Sequence, residues 1–269
     1  MTPRDIYVQP DAPDPVLGSE YVLELVRKHV PSVKTVTGVD ETGGEARTYM
    51  CDDDVVLKVQ RPQQLRPRTS LEKESFILQE FERHPSIRVP RPLGYGRDGS
   101  VEYLVLSRVP GIALRDASLE GETRVEVLRT VGATLRLIHE VDQSAMASSM
   151  LIPGDQLPTD LTARLRETFE DLREELSAQS RTLESIDLDA VQEECLSALP
   201  TDGPTVTLHS NPGAEHCFVD PSTRAFSGLI DFGDAYRSHP ALDVRSWRSI
   251  RRAPMPRPSW GSRPMSAPA

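Results

Sequence analysis

The sequence predicts an α+β chain of two lobes, because strand patterns and helix patterns occupy different parts of it. Residues 33–107 show mainly β hairpins around one helix, residues 121–199 are mostly helical, and short β runs return after residue 205. The chain of 269 residues is long enough for one large domain or two small lobes with a real core. We expect an extended arm over 1–18, a first lobe over 19–107, a second lobe over 108–250 and a disordered tail over 251–269.

The elements of the first lobe are predicted from the spacing of its apolar residues. Residues 19–30 have apolar side chains at helical spacing behind Ser19, a residue type common at helix N-caps. Residues 70–83 form the second predicted helix, which ends before Pro85. The predicted strands, of which the last four form two hairpins around polar turns, are 33–39, 46–51, 55–60, 93–97 and 101–107.

The second lobe is predicted to be built mainly of helices. Apolar residues recur every three or four positions over 121–140, and one or two acidic amphipathic helices cover 160–199. The acidic segment carries eleven carboxylates and four arginines, which is typical of a solvated face and is also suited to a cationic ligand. Short β runs cover 205–209, 217–220 and 225–230, and a last helix is expected over 240–250.

Composition and charge exclude several classes of function. The net charge of −10 argues against a surface for nucleic acid or for an anionic membrane, since both need basic patches. No apolar run approaches the roughly 20 residues that span a bilayer, and the N-terminal residues do not resemble a secretory signal. The three cysteines, Cys51, Cys195 and Cys217, are odd in number and widely spaced, which favours reduced thiols in a cytoplasmic protein. The sequence carries no signal for an oligomeric state.

Two short motifs in the late β region carry the candidate chemistry. The first is the loop His209–His216, which reads HSNPGAEH, and the second is Ile230–Asp234, which reads IDFGD. With the sequence HPALD at 239–243, they resemble the core of the aminoglycoside phosphotransferase-like kinases, and the resemblance extends more weakly over residues 35–250. It implies a protein-kinase-like fold, with an antiparallel sheet and a helix in the first lobe and a mainly helical second lobe. It also implies transfer of phosphate from ATP, with Mg²⁺, to a hydroxyl of a small molecule.

The resemblance assigns roles to three charged residues. Asp231 follows an apolar run that predicts a buried strand and matches the family's metal ligand, although an aspartate there is also typical of a turn. Lys58 is the single lysine in an apolar strand and matches the lysine that holds the ATP phosphates. Glu74 matches its ion-pair partner, with Glu72 as a possible substitute. The alternative is a solvated lysine beside a surface glutamate.

Backbone segments are assigned to the rest of the nucleotide. Gly43 and Gly44 stand between the first two strands, where this fold places its phosphate-covering loop, although paired glycines are also common in hairpin turns. Ser107 and Val109 belong to the predicted hinge, whose backbone would contact the adenine. The sequence contains no GxxxxGK[ST] phosphate-binding loop.

The loop His209–His216 departs from the family pattern at the position of the catalytic aspartate, which is Asn211 here. A neutral amide is a very poor base, although it can orient a hydroxyl. His216 replaces a metal-ligating asparagine, as in the macrolide kinases, and is a candidate metal ligand, substrate contact or base, or else a plain loop histidine. His209 is the third candidate, with a role in holding the loop favoured over catalysis, and Asp243 is expected to brace the loop.

Two functions therefore remain open. The first is an ATP- and Mg²⁺-dependent kinase of small-molecule hydroxyls, for which Glu215 or Asp234 would be a substitute base. The second is a nucleotide-binding pseudokinase with a binding or regulatory role, which the asparagine at position 211 motivates.

The C-terminal end differs in composition from the rest of the chain. Five of the 23 prolines lie in the last sixteen residues, and after Asp243 there are six arginines and no acidic residue. We therefore predict disorder beyond about residue 251. Because the kinase-like fold normally continues with helices after the position of Asp243, the resemblance suggests a truncated or frame-altered C-terminus.

Overall fold

The fold of the chain comes from a computed structural model that describes residues 7–155, 161–178, 187–199 and 203–245. Its helices are α1 (Ser19–Arg27), α2 (Leu71–Phe81), α3 (Gly121–Glu140), α4 (Ser144–Ser148), α5 (Leu161–Ala178), α6 (Leu188–Ser197) and α7 (Ala241–Arg245). Its strands are β1 (Val36–Asp40), β2 (Ala46–Cys51), β3 (Val55–Gln60), β4 (Pro92–Asp98), β5 (Val101–Ser107), β6 (Ile112–Ala113), β7 (Val206–Leu208), β8 (Cys217–Val219), β9 (Phe226–Leu229) and β10 (Tyr236–Ser238). The tail 251–269, predicted to be disordered, lies outside the described residues.

The first lobe is built on a five-stranded antiparallel sheet with the strand order β1-β2-β3-β5-β4. Because side chains alternate across a strand, Leu57 and Val59 of β3 point to one face of this sheet and Lys58 points to the other. The first face is covered by α1, whose Val22 and Leu25 are fully buried in the same core cluster as Leu57. The alternation of β3 therefore places one lysine on the face opposite to α1.

A second core cluster connects the two lobes. It contains Leu78 and Phe81 of α2, Leu104 of β5 and Ile138 of α3, together with Phe232 from the IDFGD motif. Since α2 covers the face of the sheet that carries Lys58, the side chains of α2 are brought between the sheet and the second lobe. The predicted α+β architecture, with a sheet and helix first and a mainly helical lobe second, is confirmed.

Two small sheets in the second lobe hold the two motif loops side by side. Strand β7 pairs with β10, and β6, β8 and β9 form a three-stranded sheet. The loop His209–His216 connects β7 to β8, and the segment 230–235 connects β9 to β10.

Gly111 follows the hinge with a φ of +102°, and a Cβ there would lie 2.1 Å from the carbonyl oxygen of Val219. Only glycine fits this junction between the hinge and β8.

Some predicted boundaries change in the structure. Ser19 is not the N-cap of α1: the carbonyl of Gly18 already accepts the N–H of Val22 at 3.0 Å, so Gly18 is the cap and Ser19 is the first helical residue. In the acidic segment 160–199, where one or two helices were expected, the described residues form two, α5 and α6. The helix expected over 240–250 is represented by α7, Ala241–Arg245, and residues 246–250 lie outside the described residues.

Two predictions that rest on composition are also tested by the structure. All three cysteines are unpaired. Among the described helices, none is both long enough and apolar enough to cross a membrane.

Candidate functional site

The site is centred on an ion-paired cluster at the junction of the two lobes. The Nζ of Lys58 lies 2.6 Å from Oε2 of Glu74 on α2 and 2.8 Å from Oδ1 of Asp231. Glu72 is excluded as the partner, because it lies on the exposed side of α2 and pairs with Arg97 at 3.4 Å. The Glu74 side chain is 1% exposed, whereas that of Asp231 is 42% exposed, so the cluster is accessible mainly at its aspartate.

The charges of this cluster stabilise one another. Burial alone would lower the pKa of Lys58, but Asp231 and Glu74 outweigh it and hold that pKa above its usual value. Burial would likewise raise the pKa of Asp231, but Lys58 and then His216 hold it well below its usual range. At neutral pH the cluster therefore presents a cation and an ionised carboxylate next to each other.

The backbone holds Asp231 in an uncommon conformation. Its φ of +75° lies in the left-handed region, which non-glycine residues rarely adopt and which recurs at functional sites. The adjacent Phe232 compensates for the strain, since its ring is buried in edge contacts with Phe81 and His209, at centroid distances of 5.5 and 4.6 Å. Its backbone N–H also points to Oε1 of Glu74 at 3.4 Å. Burial of Phe232 therefore anchors Asp231 against Lys58.

His209 has a structural environment. It is fully buried, its Nε2–H donates to the carbonyl of Ile230 at 2.8 Å, and its Nδ1 accepts the N–H of Asn211 at 3.3 Å. Burial, reinforced by nearby His216, lowers the pKa of His209, so the ring is neutral and both nitrogens are engaged. Of the two roles considered for His209, its burial and hydrogen bonds favour holding the loop over catalysis.

Asp243 braces the loop His209–His216, as predicted. Its buried carboxylate accepts the backbone N–H of His209 at 3.0 Å and that of Ser210 at 2.7 Å. The Nε2–H of His139 on α3 donates to the same carboxylate at 2.9 Å. The loop is therefore fixed to α3 and α7 immediately before Asn211.

Asn211 and His216 lie at the cleft side of the same loop. The Nδ1–H of His216 donates to the carbonyl of Asn211 at 2.7 Å, and Nε2 lies 3.2 Å from Oδ2 of Asp231. A carbonyl oxygen can only accept, so Nδ1 carries a proton and Nε2 is the nitrogen that faces the carboxylate. An imidazole nitrogen and a carboxylate oxygen that face each other in this way fit a shared cation, and a backbone acceptor on the other nitrogen is usual for metal-bound histidine. The side-chain amide of Asn211 makes no hydrogen bond within the described chain.

Asp231 and His216 are the candidate side chains for metal coordination. Within the ranges that the structure describes, no group of three or more His, Cys, Asp or Glu side chains is arranged to hold a metal ion. Two protein ligands suit Mg²⁺, which usually retains waters and binds substrate phosphates as well.

The backbone segments predicted to contact nucleotide adjoin β2 and β5, the two strands that flank β3. Gly43 and Gly44 belong to the turn between β1 and β2, where a Cβ on Gly43 would lie 2.8 Å from the carbonyl of Ala46. Ser107 ends β5, and its N–H donates to the carbonyl of Arg91 at 2.9 Å. The N–H of Val109 has no backbone partner among the described residues. The N–H of Val109 in the hinge can therefore donate a hydrogen bond to the base of a nucleotide.

Sequence reasoning missed two basic residues around the IDFGD motif. Arg66 pairs with Asp234 at 2.8 Å and also contacts Glu45 in the turn before β2. Asp234 is further bonded to the hydroxyl of Thr69, which makes a structural role more fitting for it than that of a substitute base. Lys73 on α2 is fully buried, and its Nζ donates to the carbonyl of Ala235 at 2.6 Å. The only sequence feature that could have indicated Arg66 and Lys73 was their position near Glu74 along the chain.

The buried Lys73 makes stability depend on pH. Burial lowers its pKa to about 8, whereas in the unfolded chain the value is close to 10.5. Between these two values the unfolded chain binds the proton more tightly, so the free energy of unfolding rises with pH in this window and is flat below it. We expect the wild type to gain about 1 kcal/mol from pH 7 to pH 9 relative to Lys73→Met, measured by urea unfolding. An equal pH dependence of the two proteins would contradict this assignment.

The fold and the site together define a class. Two lobes joined by a hinge, a buried lysine–glutamate pair between the sheet and α2, and an aspartate before Phe-Gly are the arrangement of the protein-kinase-like fold. The model of the phosphotransferase enzyme family matches residues 38–259. The chain belongs to this family, and the predicted relationship to the aminoglycoside phosphotransferase-like kinases is confirmed.

A curated relative is similar in sequence to this chain. The chain is 28% identical over 172 residues to the aminoglycoside 3'-phosphotransferase of Streptomyces ribosidificus, covering 61% of this chain and 59% of that protein. It thus spans about three fifths of the relative's length.

Two solved structures share the fold. One is the GDP and kanamycin complex of APH(2")-IIia, with a TM-score of 0.59 and 18% identity over 84% of this chain and 77% of that chain. The other is the streptomycin–ATP–APH(2")-IIa ternary complex, with a TM-score of 0.54 and 18% identity over 85% of this chain and 75% of that chain.

Proposed function

We propose that this chain is a phosphotransferase that uses ATP and transfers the terminal phosphoryl group to a hydroxyl of a small molecule. The observation that carries the proposal is the cluster of Lys58, Glu74 and Asp231, in which a cation and a partly exposed carboxylate meet at the junction of the lobes. Phosphoryl transfer needs mainly positioning and charge stabilisation from a protein, and this cluster supplies both.

The nucleotide would be held by residues of both lobes. Lys58, kept charged by Glu74, would bind the phosphates, and the turn with Gly43 and Gly44 would cover them through its backbone. The hinge residues Ser107 and Val109 would contact the base. Solved structures of the same fold include complexes with ATP and with GDP, which supports nucleotide binding in this cleft.

Asp231 and His216 would hold Mg²⁺. Their facing oxygen and nitrogen atoms, 3.2 Å apart, fit a divalent cation, although Mg²⁺ generally prefers oxygen ligands. When bound, the ion would neutralise charge on the nucleotide phosphates. The hydrogen bond from His216 to the carbonyl of Asn211 keeps the ring oriented for this role.

Asn211 would orient the acceptor hydroxyl rather than deprotonate it. In the transfer, the hydroxyl oxygen bonds to the γ-phosphorus while the bond from that phosphorus to the β–γ bridging oxygen breaks. The hydroxyl proton leaves to a phosphoryl oxygen or to water, because an amide does not accept it. A loose transition state places little charge on the attacking oxygen, so transfer can proceed without a strong base.

A second candidate function is a nucleotide-binding pseudokinase, and Asn211 is the observation that favours it. The decisive experiment measures binding of ATP and GTP by thermal shift with and without Mg²⁺. Phosphate transfer is then assayed across hydroxylated antibiotics, aminoglycosides first, and hydroxylated metabolites. Transfer to any acceptor supports the kinase, binding without transfer supports the pseudokinase, and no binding at millimolar ATP excludes both.

A carboxylate at position 211 tests whether the loop lacks only a general base. We expect Asn211→Asp to raise the turnover number about 10²-fold, the lower end of what a general base contributes, with little change in ATP affinity. Rates are compared at saturating ATP with the best acceptor from the panel, or as ATP hydrolysis if none is found. A rate of zero in both proteins, with ATP bound equally well, would point to the pseudokinase.

A further inference from the structure

The N-terminal arm, defined here as residues 7–18, lies along the first lobe and is fixed at both ends. The N–H of Val8 donates to the carbonyl of Leu65 at 2.9 Å. The N–H of Leu17 donates to the hydroxyl of Tyr49 at 2.8 Å, inside the core that α1 covers. The arm therefore crosses the ends of β2 and β3 next to the turn at residues 41–45, which we call the phosphate turn.

Asp14 lies in the arm and binds two arginines, one on β2 and one directly after β3. Its carboxylate accepts two bonds from the guanidinium of Arg47 on β2, at 3.0 and 2.9 Å, and one from Arg61 after β3, at 2.9 Å. Arg47 is only 3% exposed, and a buried guanidinium is tolerated only when its donors are satisfied. Asp14 and the carbonyl of Pro15 satisfy two of its three nitrogens.

The same two arginines hold the phosphate turn. The Nε of Arg47 donates to Glu41 at 2.9 Å, at the start of the turn. The Nη1 of Arg61 donates to the carbonyl of Gly43 at 3.1 Å, and its backbone N–H donates to the carbonyl of Glu45 at 2.8 Å. The beginning, middle and end of the turn are thus tied to side chains or backbone that Asp14 holds in place.

We propose that Asp14 is a positioning residue for nucleotide binding, which acts through Arg47 and Arg61 to keep the phosphate turn in its binding conformation. This inference rests on the proposed function. A glycine-containing turn loses more conformational entropy on ordering than other segments, so a turn that is ordered beforehand binds phosphates at lower cost. Removal of Asp14 therefore weakens binding of phosphates and leaves contacts of the base at the hinge unchanged.

The test compares three ligands on the full chain by calorimetry: Mg-ADP, Mg-ATP and adenosine. We expect Asp14→Ala to weaken Mg-ADP and Mg-ATP about tenfold, the cost of ordering a side chain or two, and to change adenosine affinity less than twofold. Removing a negative charge also attracts phosphates, so binding is measured at low salt and at roughly 0.5 M KCl, where that attraction is screened and the loss of order remains. Asp14→Glu, which keeps the carboxylate, is expected to recover part of the affinity.

The control variant is Asp52→Ala. Asp52 also holds the first lobe together, since its carboxylate accepts the N–H groups of Lys34 and Thr35, but it lies at the other end of β1 and β2 from the phosphate turn. It is expected to lower the melting temperature without changing the affinity for Mg-ADP. If Asp14→Ala does not fold, Asp14→Asn replaces it, because the amide keeps the shape and loses the two-bond contact with Arg47.

The outcomes separate the inference from the function on which it rests. A loss of ADP and ATP affinity in Asp14→Ala at both salt concentrations, with adenosine unchanged, supports it. Unchanged or tighter ADP binding at high salt, with only a lower melting temperature, overturns it and leaves Asp14 a purely structural residue. If the wild type binds neither ADP nor ATP, the proposed function fails and the inference fails with it.

Discussion

The variant Asp231→Asn is expected to lose phosphate transfer by at least about 10³-fold, the upper range for removal of one group that stabilises transition-state charge. Asparagine keeps the shape of the side chain and its contact with Lys58, but not the negative charge that attracts a divalent cation. The affinity for ADP without Mg²⁺ should stay within about twofold of the wild type, while the gain in affinity that Mg²⁺ provides should disappear. Titration calorimetry with and without Mg²⁺, combined with the transfer assay, measures both effects.

Asp234→Asn is the matched control for this variant. Asp234 lies three residues further along the same segment, but its carboxylate is occupied by Arg66 and Thr69. Its replacement is expected to cost less than about tenfold in rate and to leave the Mg²⁺ dependence intact. If Asp231→Asn and Asp234→Asn behave alike, Asp231 is not the metal-binding residue.

Replacing Lys58 by methionine is expected to have the largest effect on stability. The variant leaves the buried carboxylate of Glu74 next to Asp231 with no cation between them. Breaking a buried ion pair in this way costs about 3–5 kcal/mol of stability at neutral pH. Nucleotide binding should be lost as well, since the phosphates would meet two carboxylates and no lysine. The midpoint of urea unfolding at pH 7.5 measures the first effect.

The pH dependence of the same variant provides a second test. Burial, together with Asp231, already raises the pKa of Glu74 in the wild type, and loss of Lys58 raises it further. A carboxyl with a folded pKa above its unfolded value gains stability as pH falls through the folded value. The difference in stability between wild type and Lys58→Met is therefore expected to shrink from pH 7.5 to pH 5. A difference that stays constant, or grows, would contradict the buried arrangement of the pair.

The double variant Lys58→Met with Glu74→Leu serves as the control for Lys58→Met. Well-packed apolar residues often replace a buried ion pair at little cost, so the double variant should be more stable at pH 7.5 than Lys58→Met alone. It should still bind no nucleotide. If the stability costs of Lys58→Met and of Glu74→Leu simply add in the double variant, the two side chains act independently.

Local patterns were enough to predict much of the fold. The β-type runs 46–51 and 55–60 on either side of three aspartates predicted β2, β3 and their turn, and the structure confirms both strands. Helix α3 at 121–140 is also confirmed. These elements follow from side-chain periodicity, which depends only on nearby residues. The motifs HSNPGAEH and IDFGD are local in the same sense, and they pointed to the family that residues 38–259 match.

Partners that are distant in sequence could not be predicted from periodicity. Arg47 shares the buried face of β2 with Tyr49 and Cys51, and its charge is tolerated there because the arm brings Asp14 onto it. Lys73 resembles the other charged residues of α2, but the segment after Asp231 covers it. Burial of a charge depends on what packs over it, and that is decided by the fold rather than by the neighbouring residues.

The sequence by itself determined the elements, the family and the identity of the candidate residues, including the asparagine at position 211. Only the tertiary structure decided which of them meet: Glu74 rather than Glu72 beside Lys58, and Asp231 on the same lysine from 173 positions away. It also showed that His209 is buried and neutral while His216 faces Asp231. The physical reason is that a residue type sets what a side chain can do, whereas its charge state and partners depend on distance, burial and the groups that the fold places around it.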